Sequence, residues 1–187
     1  MSPITHFLVG WNLANATELN QRERMMVSVA GIIPDLDGFG IGIDLLTRSS
    51  DNPTDLWGEY HHVLGHNIGF AVTVSIFVWL TSRNKMKATL LAWISFHLHL
   101  LGDLFGARGP DGDQWPIPYL LPFSDSWQWV WQGQWALNAW PNMLITAGLI
   151  LSTLILARRK GFSPLEIISL KADKIFVDTI QARFRKV

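Results

Sequence analysis

Apolar residues gather into three runs along this chain: Ile68 to Ser82 (IGFAVTVSIFVWLTS), Ala88 to Phe105 (ATLLAWISFHLHLLGDLF) and Leu137 to Ala157 (LNAWPNMLITAGLILSTLILA). Each reads as a helix, and only the last clearly has the roughly 20 residues that cross a bilayer's hydrocarbon core. The first reaches that length only by taking in His62 and His66, and the second carries His97, His99 and Asp103. An ionisable residue in a spanning helix is costly enough to be a functional hypothesis in itself.

Shorter elements are marked by their caps. Ser2 followed by Pro3 is an N-cap with proline at the first helical position, starting a helix that carries His6 in its first turn. Asn20 and Glu23 form a capping box for a second helix through RMMVSVAGII, which must stop before Pro34 because proline disfavours helix at the preceding residue. Asp35 and Asp37 of PDLDGFG then fall in a loop at that helix's end, and residues 38–53 show no strong period. Residues 106–135 are rich in Gly, Pro, Asp and Trp, and the alternation Trp127, Trp129, Trp131 predicts a short strand or an extended interfacial segment. In the tail, SPLE at 163–166 is a second capping box. Ile168, Ile175, Ile180 and Phe184 recur near helical spacing among lysines and arginines, which predicts an amphipathic helix lying on a membrane surface. The pattern as a whole predicts an all-α fold: a helical membrane-associated bundle with about three spanning helices and a C-terminal amphipathic helix. It divides into a helical domain over 1–157 and a basic tail over 158–187.

Composition leans the same way. Of 187 residues, 49% are hydrophobic and only 16% charged, with ten tryptophans, six of them between Trp115 and Trp140 where an aromatic belt belongs. The N-terminus, MSPITHFLVGW, has neither the basic region nor the apolar length of a cleaved signal peptide. The absence of cysteine excludes disulfides, thiolate metal sites and a cysteine nucleophile, so any metal is held by nitrogen and oxygen.

The zero net charge conceals an asymmetry: residues 158–187 carry eight Lys or Arg against three Asp or Glu, so residues 1–157 are net −5 and the tail +5. Arg158-Arg159-Lys160 follows the third run, and Arg83, Lys85 and Lys87 lie between the first two. By the positive-inside rule both places are cytoplasmic. A helix over 64–82 then runs inward, one over 88–105 outward, residues 106–136 lie outside and a helix over 137–157 returns. This places His61, His62, His66 and Asp103 at the outer ends of their helices, with His99 one turn deeper, on the non-cytoplasmic side of an inner (plasma) membrane.

Candidate chemistry follows from spacing. His99 and Asp103 are i and i+4, so on a helix they share a face and can hold one metal ion. His62 and His66 have the same spacing, whereas His61 and His66 stand about 140° apart on an ideal helix. Asp35 and Asp37 add loop oxygens and His6 a further nitrogen. Mixed imidazole and carboxylate ligation suits zinc, with manganese or iron as alternatives, and does not suit haem. Against this stand blander roles. His97 points away from His99 on a helix and reads as a hydrogen-bonded core residue. His99 with Asp103 can be a buried ion pair, and PDLDG a solvated turn. Arg108, Asp111 and Asp113 can be simple loop charges.

The ordered set THFLVG, PDLDG, HHVLGHN and HLHLLGD, the last leading into WPIPYLLPFS, resembles the YdjM-like family of membrane-bound metal-dependent hydrolases over about residues 1–125. The resemblance implies a metal site of His6, Asp35, Asp37, His61, His66, His99 and Asp103. It prefers His61 where helix geometry prefers His62. The chain departs from the family pattern with His62 where an arginine is expected and Asn67 where a serine is expected, so Arg108 or a protonated His62 is left to bind an anionic substrate. The family's motifs are similar to those of zinc-dependent phospholipase C. The implied activity is therefore metal-assisted attack of water on a phosphoester, with Glu59 or a free carboxylate of Asp37 taking the proton. A site at the membrane surface makes membrane lipid the expected partner and a lipid phosphoester the expected substrate. A non-enzymatic membrane metal-binding or interaction protein would use the same ligands, and a mean hydropathy of +0.20 also suits a soluble helical hydrolase. Nothing reads as a nucleic-acid site, since the basic residues form a tail and not an aromatic-interleaved patch.

Overall fold

The computed structural model describes residues 1–109, 112 and 114–184; Asp111 and Asp113 lie outside the described residues. Among the described residues eight α-helices follow in order: α1 (Pro3–Ala14), α2 (Gln21–Ala30), α3 (Ile41–Thr47), α4 (Leu56–Tyr60), α5 (Ile68–Thr81), α6 (Lys85–Gly106), α7 (Trp140–Lys160) and α8 (Leu170–Phe184). The predicted caps start the first two. Ser2 accepts from the Thr5 amide, and Asn20 and Glu23 close both halves of their box. At 163–166 only half of the expected box forms. Ser163 accepts from the Leu165 amide, but Glu166 reaches away to Arg24, whose Nε and Nη2 donate to its two oxygens at 2.7 Å.

Cross-contacts fix the helix directions. Thr5 bonds Thr146, Asn12 donates to Thr153 and Lys160 donates to the Asn15 carbonyl, so α1 and α7 run parallel. Glu23 at the start of α2 meets the start of α6, and Gly31 at its end meets His99, so α2 and α6 run together in the opposite sense. The bundle therefore has one end that gathers the head of α1, the ends of α2 and α6 and the segment before α5. The other end gathers Arg83, Lys85 and the Arg158-Arg159-Lys160 block. At that basic end Glu23, almost fully buried, accepts from the amides of Arg83 at 3.0 Å and Asn84 at 2.7 Å. A carboxylate of α2 thus satisfies backbone donors at the head of α6, where Asn84 supplies no side-chain cap. Between the two ends, Val27, Ala30, Val74, Val78, Ala92, Phe96 and Leu100 form the core.

The apolar runs are helical, with shifted bounds. α6 and α7 are long and apolar enough to cross a membrane, and the bent pair Gln21–Ala30 with Ile33–Thr47, angled at 51°, makes a third candidate. The run expected to form a helix from residue 64 gives only α5, 14 residues starting at Ile68 behind an Asn67 cap. At about 1.5 Å per residue it is too short to cross the hydrocarbon alone. The PDLDG loop is a 3₁₀ segment over Ile33–Gly40. The stretch around Trp129, expected as a short strand or an extended interfacial segment, forms no regular strand among the described residues; Trp129 makes an isolated bridge to Ile117, and Arg108 another to Ala136. α8 buries Val177 and Ile180 against Ala157 of α7.

Candidate metal centre

Four side chains from three elements converge at the end of the bundle away from the basic block: Asp35 from the 3₁₀ segment, His66 from the turn before α5, and His99 and Asp103 from α6. One ligand atom of each lies within 4.8 Å of every other. His66, His99 and Asp103 are buried, and Asp35 keeps 19% of its side chain exposed.

The hydrogen bonds on the far side of each ring decide what faces inward. His99 Nδ1 lies 2.8 Å from the Gly31 carbonyl, which can only accept, so that nitrogen carries the proton and Nε2 presents its lone pair. His66 Nδ1 donates to Asp37 Oδ2 at 3.0 Å, leaving its Nε2 equally bare. The two Nε2 atoms stand 3.1 Å apart, and Asp103 Oδ2 lies 3.0 Å from that of His99 and 3.4 Å from that of His66. Three acceptors facing one another repel unless a cation sits among them. Among the described residues, Asp103 Oδ2 and Asp35 Oδ2 are both buried without a hydrogen-bond partner, so the residues present fit a divalent cation.

The remaining predicted residues stand around this group. Asp37 holds two of the rings: its oxygens accept from His61 Nδ1 at 2.9 Å, from His66 Nδ1 and from the Gly65 amide at 2.9 Å. Gly65 permits this approach, since a Cβ there would clash with the Pro34 carbonyl oxygen. His6 Nε2 donates to Asp103 Oδ1 at 2.9 Å, with the Met1 amino group on the same oxygen. Its ring fits because a Cβ on Gly102 would come within 2.9 Å of it. Glu59 is exposed on α4, and Arg108 donates to the Gln132 carbonyl; neither is brought to the cluster. His97 donates from Nδ1 to the Trp93 carbonyl and takes the Tyr119 hydroxyl on Nε2, a satisfied structural histidine.

His61 and His62 do not divide between inside and outside as a helix would require. α4 ends at Tyr60, and His62 adopts φ +66°, a left-handed conformation uncommon for a residue with a Cβ. Both rings therefore turn inward, 4.1 Å apart, packed under Trp115, with Trp57 on His61. His62 Nε2 comes to 3.8 Å from Asp103 Oδ2, closer to the cluster than the helical reading of residues 62–66 explains. Burial and the neighbouring His66 hold the His62 pKa well below its usual value, so His62 is neutral and not the cation that replaces a missing arginine. His66 behaves oppositely. Burial disfavours its charge, but hydrogen bonds to Asp103 and Asp37 prevail and push its pKa up to about 9, a proton standing where a cation belongs. No sequence signal marks the Gly31 carbonyl or Trp115 as parts of this site, because both arrive from distant elements.

An all-helical membrane protein with a buried histidine and aspartate centre at one end of its bundle is the class these features define. Within that class, the family model for the YdjM inner membrane protein matches residues 1–172, and the chain belongs to that family. No curated protein and no solved structure matches the chain.

Proposed function

We propose that the protein is a metal-dependent hydrolase at the non-cytoplasmic surface of the inner membrane, acting on a phosphoester, with lipid phosphate as the substrate class. The observation that carries this reading is the set of three bare acceptors, His66 Nε2, His99 Nε2 and Asp103 Oδ2, aimed at one another inside 3.4 Å. With Asp35 they hold a divalent cation, zinc by the nitrogen and oxygen donors, with manganese or iron as alternatives. Such an ion supplies Lewis acidity and acidifies water at neutral pH. Asp37 fixes the tautomers of His61 and His66, and His6 braces Asp103. His62, neutral and with Nε2 3.8 Å from Asp103 Oδ2, would accept the proton of the attacking water. Asp37, whose oxygens already accept three bonds, and the exposed Glu59 are less suited to that role.

The test is elemental mass spectrometry of detergent-purified protein beside His99→Ala and Asp103→Ala, followed by hydrolysis of a soluble phosphodiester. About one equivalent of metal, lost in both variants together with hydrolysis, supports the reading. Wild-type protein that stays metal-free after zinc is added overturns it.

A second reading has its own observation: three of the four ligands are buried and all are supplied by the protein, as in closed structural sites. Stoichiometric metal that raises the unfolding temperature without any phosphoester cleavage favours this non-enzymatic role.

A further inference from the structure

Behind the turn that carries His66 lies a groove of about 510 Å³, walled chiefly by Leu64, Phe70, Val72, Leu121 and Phe123. Its polar wall residues have nothing left to donate. Asn67 gives both amide protons to the carbonyls of Val63 and Leu64 and accepts from the Phe70 amide, while Thr73 donates to the Gly69 carbonyl. At the head of α5 the Ile68 and Gly69 amides are taken by the carbonyls of Tyr119 and Leu121. A wall that is mostly apolar and whose side-chain donors are spent disfavours a polar or anionic occupant and accepts hydrocarbon.

The surroundings name the source of that hydrocarbon. Val72, Ile76, Phe77 and Leu80 continue the groove as an exposed apolar face along α5. In an inner membrane protein such a face is covered by lipid. Asn67 in the groove wall is the next residue after His66, about 3.8 Å away along the backbone.

We propose that this groove seats one acyl chain of a bilayer lipid, whose polar head then lies at the level of the His66, His99 and Asp103 cluster. The proposal rests on the hydrolase reading for what is cleaved, and it narrows the substrate to a chain-bearing lipid phosphoester.

The test uses the full chain in phosphatidylethanolamine and phosphatidylglycerol vesicles containing a trace of phospholipid with a photoactivatable diazirine at the end of one acyl chain. Cross-links are mapped by mass spectrometry. The expected result is labelling concentrated on Leu64, Phe70, Val72 and Phe123 above that on the exposed Leu144 and Leu151 of α7. Thr73→Trp, which fills the groove from an exposed position, should lower the groove labelling by about tenfold, the loss expected when about two methylenes no longer find room. Metal content should not change. Groove labelling no higher than on α7, or insensitive to Thr73→Trp, overturns the proposal. Groove labelling in a protein that cleaves no phosphoester sinks the hydrolase reading and keeps the lipid seat. Cleavage of a soluble phosphodiester without groove labelling does the reverse.

Discussion

His66 and His99 point their Nε2 atoms at each other across 3.1 Å, while Asp37 and the Gly31 carbonyl hold the opposite ring nitrogens. Two imidazoles fixed in this way cannot hydrogen-bond each other when both are neutral, so the contact is stable only around a proton or a metal ion.

This separates ligands from orienting groups. Asp103→Asn removes an oxygen that faces the cluster and should abolish stoichiometric metal. Asp37→Asn only loosens two rings and should weaken affinity by about 10–100-fold, with full loading recovered in excess zinc. Titration of both variants with zinc by calorimetry checks this; equal losses would place Asp37 among the ligands.

A pH dependence follows for metal-free protein. The His66 pKa is raised from 6.5 to about 9, so its stabilising contribution is complete below about 6.5 and is lost as pH rises through about 9. Metal must displace that proton, so apparent affinity should rise over the same range. Thermal unfolding of metal-free and zinc-loaded protein should therefore diverge as pH increases, and parallel curves would refute the linkage.

The orientation of the site is open to a direct test, because the chain has no native cysteine. Asp125→Cys, exposed on the segment between α6 and α7 at the site end, should react with a membrane-impermeant maleimide on intact spheroplasts. Arg159→Cys at the basic end should react only after permeabilisation. The reverse pattern would put the metal centre in the cytoplasm.

α7 is held to the bundle by polar contacts more than by apolar burial. Asn12 alone bonds Ser152 and Thr153, and Thr5 bonds Thr146 at 2.6 Å. Asn12→Leu should destabilise the protein by about 1–2 kcal/mol, at about 0.6 kcal/mol or somewhat more for each lost interhelical bond. Denaturant unfolding in detergent reads the change, and an unaltered midpoint would mean that α7 packs by shape alone.

Features set by local chemistry are legible along the chain. Ser2-Pro3 and the Asn20 and Glu23 box set the starts of α1 and α2, because a cap bonds amides only a few residues away. The apolar runs marked α5 to α7, and the spacing of His99 and Asp103 put two site residues on one helical face. Periodicity failed between Tyr60 and Ile68, where the left-handed His62 breaks the register and turns adjacent histidines the same way. Which candidates face the centre of the cluster, and which hold its rings from behind, is set by the packing of distant elements. That choice depends on the partner of each histidine's other nitrogen, and for His99 and His66 the partners are a carbonyl at the end of α2 and a carboxylate 29 residues away in the chain. Hydrogen bonds between distant elements leave no periodic trace, so the cluster exists only once the helices have packed.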